Sequence, residues 1–211
     1  MPHHHVHAQL LNVAEELSPA LHVALAKLGP LEFPRRDDKP FPVYLCRAIS
    51  GQQISVKAAQ SIWKRVEDSA GEGPLLDHFV EDNTEVLRGC GLSGAKTKTM
   101  ITIADTHRTL GLDTEALRAM SVEERTARLT AMWGVGQWTA DMMNMFYFGE
   151  EDIWPDGDVA ARKTLERLTS KRRKTIRTAE RFKPHRSWLA LYMWAHVDAP
   201  PDGEAVVDVP R

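Results

Sequence analysis

Cysteine is scarce: Cys46 and Cys90 are the only two in 211 residues. Two thiols cannot build a four-cysteine zinc or iron–sulfur site. In a reducing compartment they are not expected to pair, and both read as buried structural thiols. Long apolar runs are lacking as well. No stretch approaches the ~20 residues that span a bilayer, so no membrane association is expected. Met1–Gln9 is rich in histidine and lacks the charged-then-apolar layout of a secretory leader. His3, His4, His5 and His7 fit a frayed terminus better than a metal site, and no metal ligands are assigned. No segment alternates with period two for long enough to read as a strand. There is no internal repeat and no low-complexity tract. Nor is there an excess of positive charge: 27 Lys and Arg stand against 29 Asp and Glu, for a net −2. Taken alone, that balance speaks against a polyanionic partner.

The distribution of charge reverses that inference. Between Asp158 and Trp188 lie eleven basic residues: Arg162, Lys163, Arg167, Lys171, Arg172, Arg173, Lys174, Arg177, Arg181, Lys183 and Arg186. The acids there are Asp158, Glu166 and Glu180, so the segment carries +8 and the rest of the chain −10. A solvated helix face explains individual lysines and arginines. It does not explain the asymmetry, which is the footprint of a phosphate-facing surface.

What the chain does have is helical periodicity. Val13, Leu17, Leu21, Leu25 and Leu28 form one stripe of an amphipathic helix that Pro30 ends, and 34–40 is a polar connection. Helices are predicted again at 41–50, 55–66, in a short region over 75–87, at 98–110 and at 159–168. A closing helix begins near Pro184, and 200–211 reads as a loose tail. Ser121, with Glu124 three residues on, marks a capping box, and Ala127, Leu129, Met132 and Trp133 follow at roughly helical spacing. The expected fold is all-α: two helical lobes, one about 36–135 and the other about 1–35 plus 136–199, with a cleft between them.

Three stretches carry chemistry. Gly134-Val135-Gly136 breaks one helix before another resumes over 137–148. Two glycines permit positive φ and close backbone approach. The N–H groups opening the second helix lack intrahelical partners and carry partial positive charge, so a phosphate can dock there without sequence readout. A plain αα-turn with a glycine cap accounts for the same residues. Trp154-Pro155-Asp156-Gly157-Asp158 sets two acids just ahead of a helical run. Either is an ordinary N-cap, but a pair behind Trp-Pro is more than a cap needs. Gly51-Gln52-Gln53-Ile54 interrupts two helices. Amides at such a corner can enter a minor groove or fill the space of an extruded base, and a surface turn is the plainer reading.

Together, Gly51-Gln52-Gln53-Ile54-Ser55, Leu92-Ser93-Gly94-Ala95-Lys96, Gly134-Val135-Gly136-Gln137-Trp138-Thr139-Ala140 and Asp158 with Arg162-Lys163 resemble the helix-hairpin-helix DNA glycosylases. The Trp138-Thr139-Ala140 variant and the Gly-Gln-Gln stretch are similar to the 3-methyladenine DNA glycosylase II branch. The resemblance covers roughly 41–194. The endonuclease III branch usually carries a C-terminal four-cysteine cluster, which this chain lacks. The resemblance implies a monofunctional enzyme of base excision repair. It would flip alkylated purines of the 3-methyladenine or 7-methylguanine type from damaged double-stranded DNA and hydrolyse the N-glycosidic bond. A monomer is expected, cytoplasmic at the nucleoid in a bacterium or nuclear in a eukaryote.

The resemblance also assigns roles. Asp158 is implied as the catalytic carboxylate, with Asp156 second. Trp138 is the prime candidate for a wall of the base pocket, with core packing as its alternative, since an electron-poor methylated purine stacks on an aromatic face as a cation does. Met142, Trp154, Phe41, Tyr44 and His185 are further pocket candidates, each with a core-packing alternative. Gln53 matches the residue that fills the gap in the duplex, with Gln52, Ile54 and Ser55 beside it. Gly134, Gly136, Gln137 and Thr139 of the hairpin, together with Lys96, Arg162, Lys163 and Arg186, complete the DNA-binding set. No cofactor is required; some relatives hold a structural monovalent cation on the hairpin, here 133–136. Strand-cleaving relatives have a lysine where this chain has Trp138, and only an amine forms an imine with the sugar, so no lyase step is expected. Two other readings stay open: a non-catalytic helix-hairpin-helix DNA-binding module, and a glycosylase for a different base lesion.

Overall fold

The structure, a computed structural model, describes residues 2–198, so the tail expected at 200–211 lies outside the described residues. Among these the chain is all-α: thirteen α-helices, two 3-10 turns, one π turn and no strand. No described helix is long and apolar enough to cross a membrane. The chain divides into two compact units. Residues up to Arg35 join those from Asn144 onward, and Arg36–Met143 forms the other. The second crossing falls after Met143, so the helix that follows the hairpin stays with the one before it, against which it packs.

The helix expected across 13–28 is two, α1 (Pro2–Leu17) and α2 (Pro19–Leu28). Ser18 is extended and its Oγ accepts from the Leu21 N–H, while Pro19 takes the first helical position, where a missing N–H costs nothing. The same ring cannot continue α1. The histidine-rich start is not frayed either. It is the first turns of α1, with Val6 and Leu10 buried and His7 Nδ1 2.7 Å from the Tyr192 hydroxyl.

The Arg36–Met143 unit holds α3 (Phe41–Gly51), α4 (Val56–Ala70), α5 (Leu75–His78), α6 (Thr84–Gly89), α7 (Gly94–Leu110), α8 (Thr114–Arg118), α9 (Val122–Thr130) and α10 (Gln137–Met142). Phe41, Leu45, Cys46 and Ile49 share the buried face of α3, which packs on α7, and α7 in turn buries Met100, Ile103 and Ala104. Burying each such large side chain contributes about 1.5–3 kcal/mol. Cys46 and Cys90 are both free and buried, and burial pushes the Cys46 thiol up. Ser121 and Glu124 form the capping box of α9. That helix ends at Thr130, so Trp133 is off its buried stripe. After α10 the chain does not continue as α-helix to Phe148; it widens into a buried π turn, Met143–Tyr147. The remaining helices, α11 (Val159–Leu168), α12 (Thr175–Ala179) and α13 (Arg186–Asp198), return to α1 and α2, with α11 packed on α13.

Candidate functional site

In the Arg36–Met143 unit the hairpin between α9 and α10 is held hard against α7. Gly134 has φ +82°, and a Cβ there would lie 2.0 Å from Thr99 Oγ1. Gly136 is different. Its backbone is extended (φ −92°, ψ 174°) and a Cβ would meet nothing within 4 Å. The fold thus demands glycine at 134 and makes no such demand at 136. No side chain caps α10, and Gly136 and Gln137 are exposed at its start. Trp133, 47% exposed, lies under the Lys98 ammonium, 4.4 Å from the ring centroid. Gln137 turns its amide back along α10 to Asp141 Oδ1 at 2.8 Å. Asp141 is buried, and burial pushes its carboxyl up to about 6 in spite of that bond.

The α3–α4 corner is tied to the hairpin helix. Gln52 Nε2 donates to Thr139 Oγ1 at 3.1 Å, so the buried Thr139 hydroxyl faces the corner rather than solvent. Gln53 is exposed with φ +59°, and Ile54 is 39% exposed. Ser55 caps α4 through the Ala58 N–H. Lys96, expected at the DNA backbone, is instead turned onto the carbonyls of Ser50 and Gln52, and burial lowers its pKa. Among the pocket candidates of this unit, Trp138 and Tyr44 are half-buried, with Tyr44 hydrogen-bonded to Arg36, whereas Phe41 and Met142 are buried core residues.

In the other unit Asp158 caps α11. It is 7% exposed, and its Oδ1 accepts from the Ala161 N–H at 2.8 Å and the Trp194 indole N–H at 3.0 Å. Trp194 escaped the sequence reading; it comes from α13, and no local pattern links the two positions. Asp156 has separate work. Its Oδ1 accepts from Trp154 Nε1 at 3.3 Å and Thr175 Oγ1 at 3.1 Å, which ties the loop to the start of α12 and leaves Trp154 buried. His185 is half-buried, its Nδ1 3.7 Å from Glu151 Oε2. Arg186 is spent within the protein: it pairs with Asp152 at 2.7 Å and Glu180 at 3.1 Å. A cation already held by two carboxylates has little to offer a phosphate. Lys163 is exposed and Arg162 half-buried. Further along, Arg172, Arg173, Lys174 and Arg177, with Ser170, line a surface depression of about 470 Å³, and among the described residues none of the four has an acidic partner.

No family model matches the chain. It is 30% identical over 158 residues to DNA-3-methyladenine glycosylase 1 of Schizosaccharomyces pombe, covering 71% of this chain and 69% of the relative. A crystal structure of a DNA-3-methyladenine glycosidase from Bacillus halodurans superposes with a TM-score of 0.72 at 26% identity, over 89% of this chain and 87% of that one. The Schizosaccharomyces pombe 3-methyladenine DNA glycosylase solved in complex with abasic DNA shares the fold, with a TM-score of 0.72 over 90% of this chain and 94% of that one, at 24% identity. With that identity and coverage, and with the glycine hairpin and the capping aspartate standing as described, the chain belongs to the helix-hairpin-helix DNA glycosylases, in their 3-methyladenine branch.

Proposed function

We propose that the chain is a monofunctional glycosylase of base excision repair. It flips an alkylated purine out of damaged double-stranded DNA and hydrolyses its N-glycosidic bond, acting as a monomer. The observation that carries this reading is the Asp158 carboxylate, buried at the start of α11 and fixed by the N–H groups of Ala161 and Trp194. A carboxylate held in place has no reorganisation to undergo when charge develops beside it. As the bond from C1′ to the base breaks, the electron pair leaves with the base and positive charge grows on the sugar, which Asp158 offsets. A 3-methyladenine or 7-methylguanine base carries formal positive charge before cleavage, so it departs neutral and needs little acid. Water adds to C1′ and loses a proton, and an abasic sugar remains. Trp138, half-buried on α10, supplies the aromatic face for the cationic base. Its indole cannot form an imine, so the strand stays intact.

The DNA backbone is engaged at the hairpin and the basic segment. Gly136 supports the first: a glycine the fold does not need leaves room for a phosphate to approach the backbone. The carbonyls of Trp133, Gly134 and Val135 accept no hydrogen bond among the described residues, so loop 133–136 has the oxygen donors a monovalent cation takes. Such an ion would add positive charge where the phosphate docks.

Release of free base from methylated duplex DNA tests the reading, with Asp158→Asn beside the unaltered protein. Asparagine keeps an acceptor for the α11 cap. Release is expected from the unaltered protein, with a loss of more than about 100-fold in the variant, retained DNA binding and no borohydride-trapped adduct. Binding without release by either protein would favour the non-catalytic module, and near-normal excision by the variant would remove Asp158 from its role.

A further inference from the structure

Lys96 is the odd member of the DNA-facing set. Its ammonium points into the protein, 2.9 Å from the carbonyl of Ser50 and 2.7 Å from that of Gln52. Both carbonyls sit at the C-terminal end of α3, where backbone acceptors lack helical partners and the dipole leaves partial negative charge. The bond from Gln52 Nε2 to Thr139 steadies the same residue through its side chain. The next residue, Gln53, has the only positive φ outside glycine among the described residues. A side chain with a Cβ adopts that conformation at a cost and keeps it only where the surroundings over-determine it.

The carbonyl of Gln52 lies in the peptide plane that joins it to Gln53. That plane is oriented by ψ of Gln52, 137°, and φ of Gln53, +59°. Turning it over is the movement that would return Gln53 to negative φ. The bond from Lys96 opposes that movement directly. Gln53 contributes nothing to its own restraint: its side chain is exposed and makes no hydrogen bond among the described residues.

We propose that Lys96 is a positioning residue. Its ammonium holds the Gln52–Gln53 peptide so that Gln53 stands out from the α3–α4 corner, ready to enter the gap left by an extruded nucleotide. This rests on the reading of Gln53 as the residue that fills the gap. The conformation is set before DNA arrives, so its ordering does not burden the flipping step. Lys96 is then no phosphate ligand, although it lies in a motif that resembles one for backbone contact.

A double-mutant cycle tests this, with Lys96→Met, Gln53→Gly and the double variant. Glycine is at ease at φ +59° and has no side chain to insert. Single-turnover release of base from methylated duplex is measured, together with the salt dependence of duplex binding. Lys96→Met is expected to slow release about tenfold, Gln53→Gly by at least as much, and the double variant no more than Gln53→Gly alone. The slope of log K against log salt stays unchanged in Lys96→Met, whereas loss of a phosphate contact lowers it by about 0.9. Unimpaired release by Gln53→Gly overturns the gap-filling reading beneath the proposal. Additive losses, or a lowered slope, overturn the proposal and leave that reading standing. Should Lys96→Met not fold, Lys96→Ala, which likewise has no donor and leaves room for water at the two carbonyls, takes its place in the same cycle with the same outcomes.

Discussion

Asp141→Asn should make the protein more stable at neutral pH and leave it unchanged in acid. The carboxyl is buried on α10, one turn beyond Gln137, and the hydrogen bond from the Gln137 amide does not offset the loss of water. Burial therefore raises it from 3.8 to about 6. A folded pKa above the unfolded one means that the native state binds more protons between those values. The favourable contribution is complete below about pH 4 and is lost as pH rises through about 6. Two units at about 1.36 kcal/mol each make a penalty on the order of 2–3 kcal/mol above pH 7. Asparagine removes the charge and still offers Oδ1 to the Gln137 amide. At about 2–4 °C per kcal/mol for a chain of this length, the variant should melt roughly 5–10 °C higher at pH 7.5. Urea and thermal melts of both proteins from pH 4 to 8 supply the assay. A stability gap that does not close on acidification, or a variant weaker than its parent at pH 7.5, refutes the reasoning.

The two hairpin glycines should separate stability from binding. Gly134→Ala meets both the φ of +82° and Thr99, and should cost about 2 kcal/mol or more in a denaturant melt. Gly136→Ala should melt within about 0.5 kcal/mol of the parent yet bind duplex DNA roughly tenfold more weakly; equal binding would mean that no backbone approaches there. Trp194→Phe removes one N–H from Asp158 and should lower kcat about 10- to 100-fold with KM little moved. A change confined to KM would show that the indole does not act through the carboxylate.

The local signals were legible because each depends on backbone groups only a few residues apart. The capping box of Ser121 and Glu124, the cap at Asp158 and the turn at Gly134 are all of this kind. Ser18-Pro19 was equally local, yet the continuous apolar stripe across 13–28 masked it; α1 buries Val6, Leu10 and Ala14, and leaves Val13 and Leu17 half-buried. Trp133 misled for a related reason: its spacing fits a helix that has already ended at Thr130.

Tertiary structure alone decided which long side chains are spent inside the protein. In the sequence Lys96 and Arg186 look like any other cation near a DNA-binding motif. Folding brings Ser50 and Gln52 to the first and Asp152 and Glu180 to the second, whereas Arg172 and Arg173 meet no acid among the described residues. It also divided two neighbouring aspartates, giving Asp156 to Thr175 and Asp158 to Trp194, partners 19 and 36 residues away. Helices, caps and the hairpin follow from backbone chemistry within one or two turns, and the sequence determined those by itself. The partner of a charged or amide side chain is set by what lies within about 3 Å once the helices have packed, and that is written nowhere along the chain.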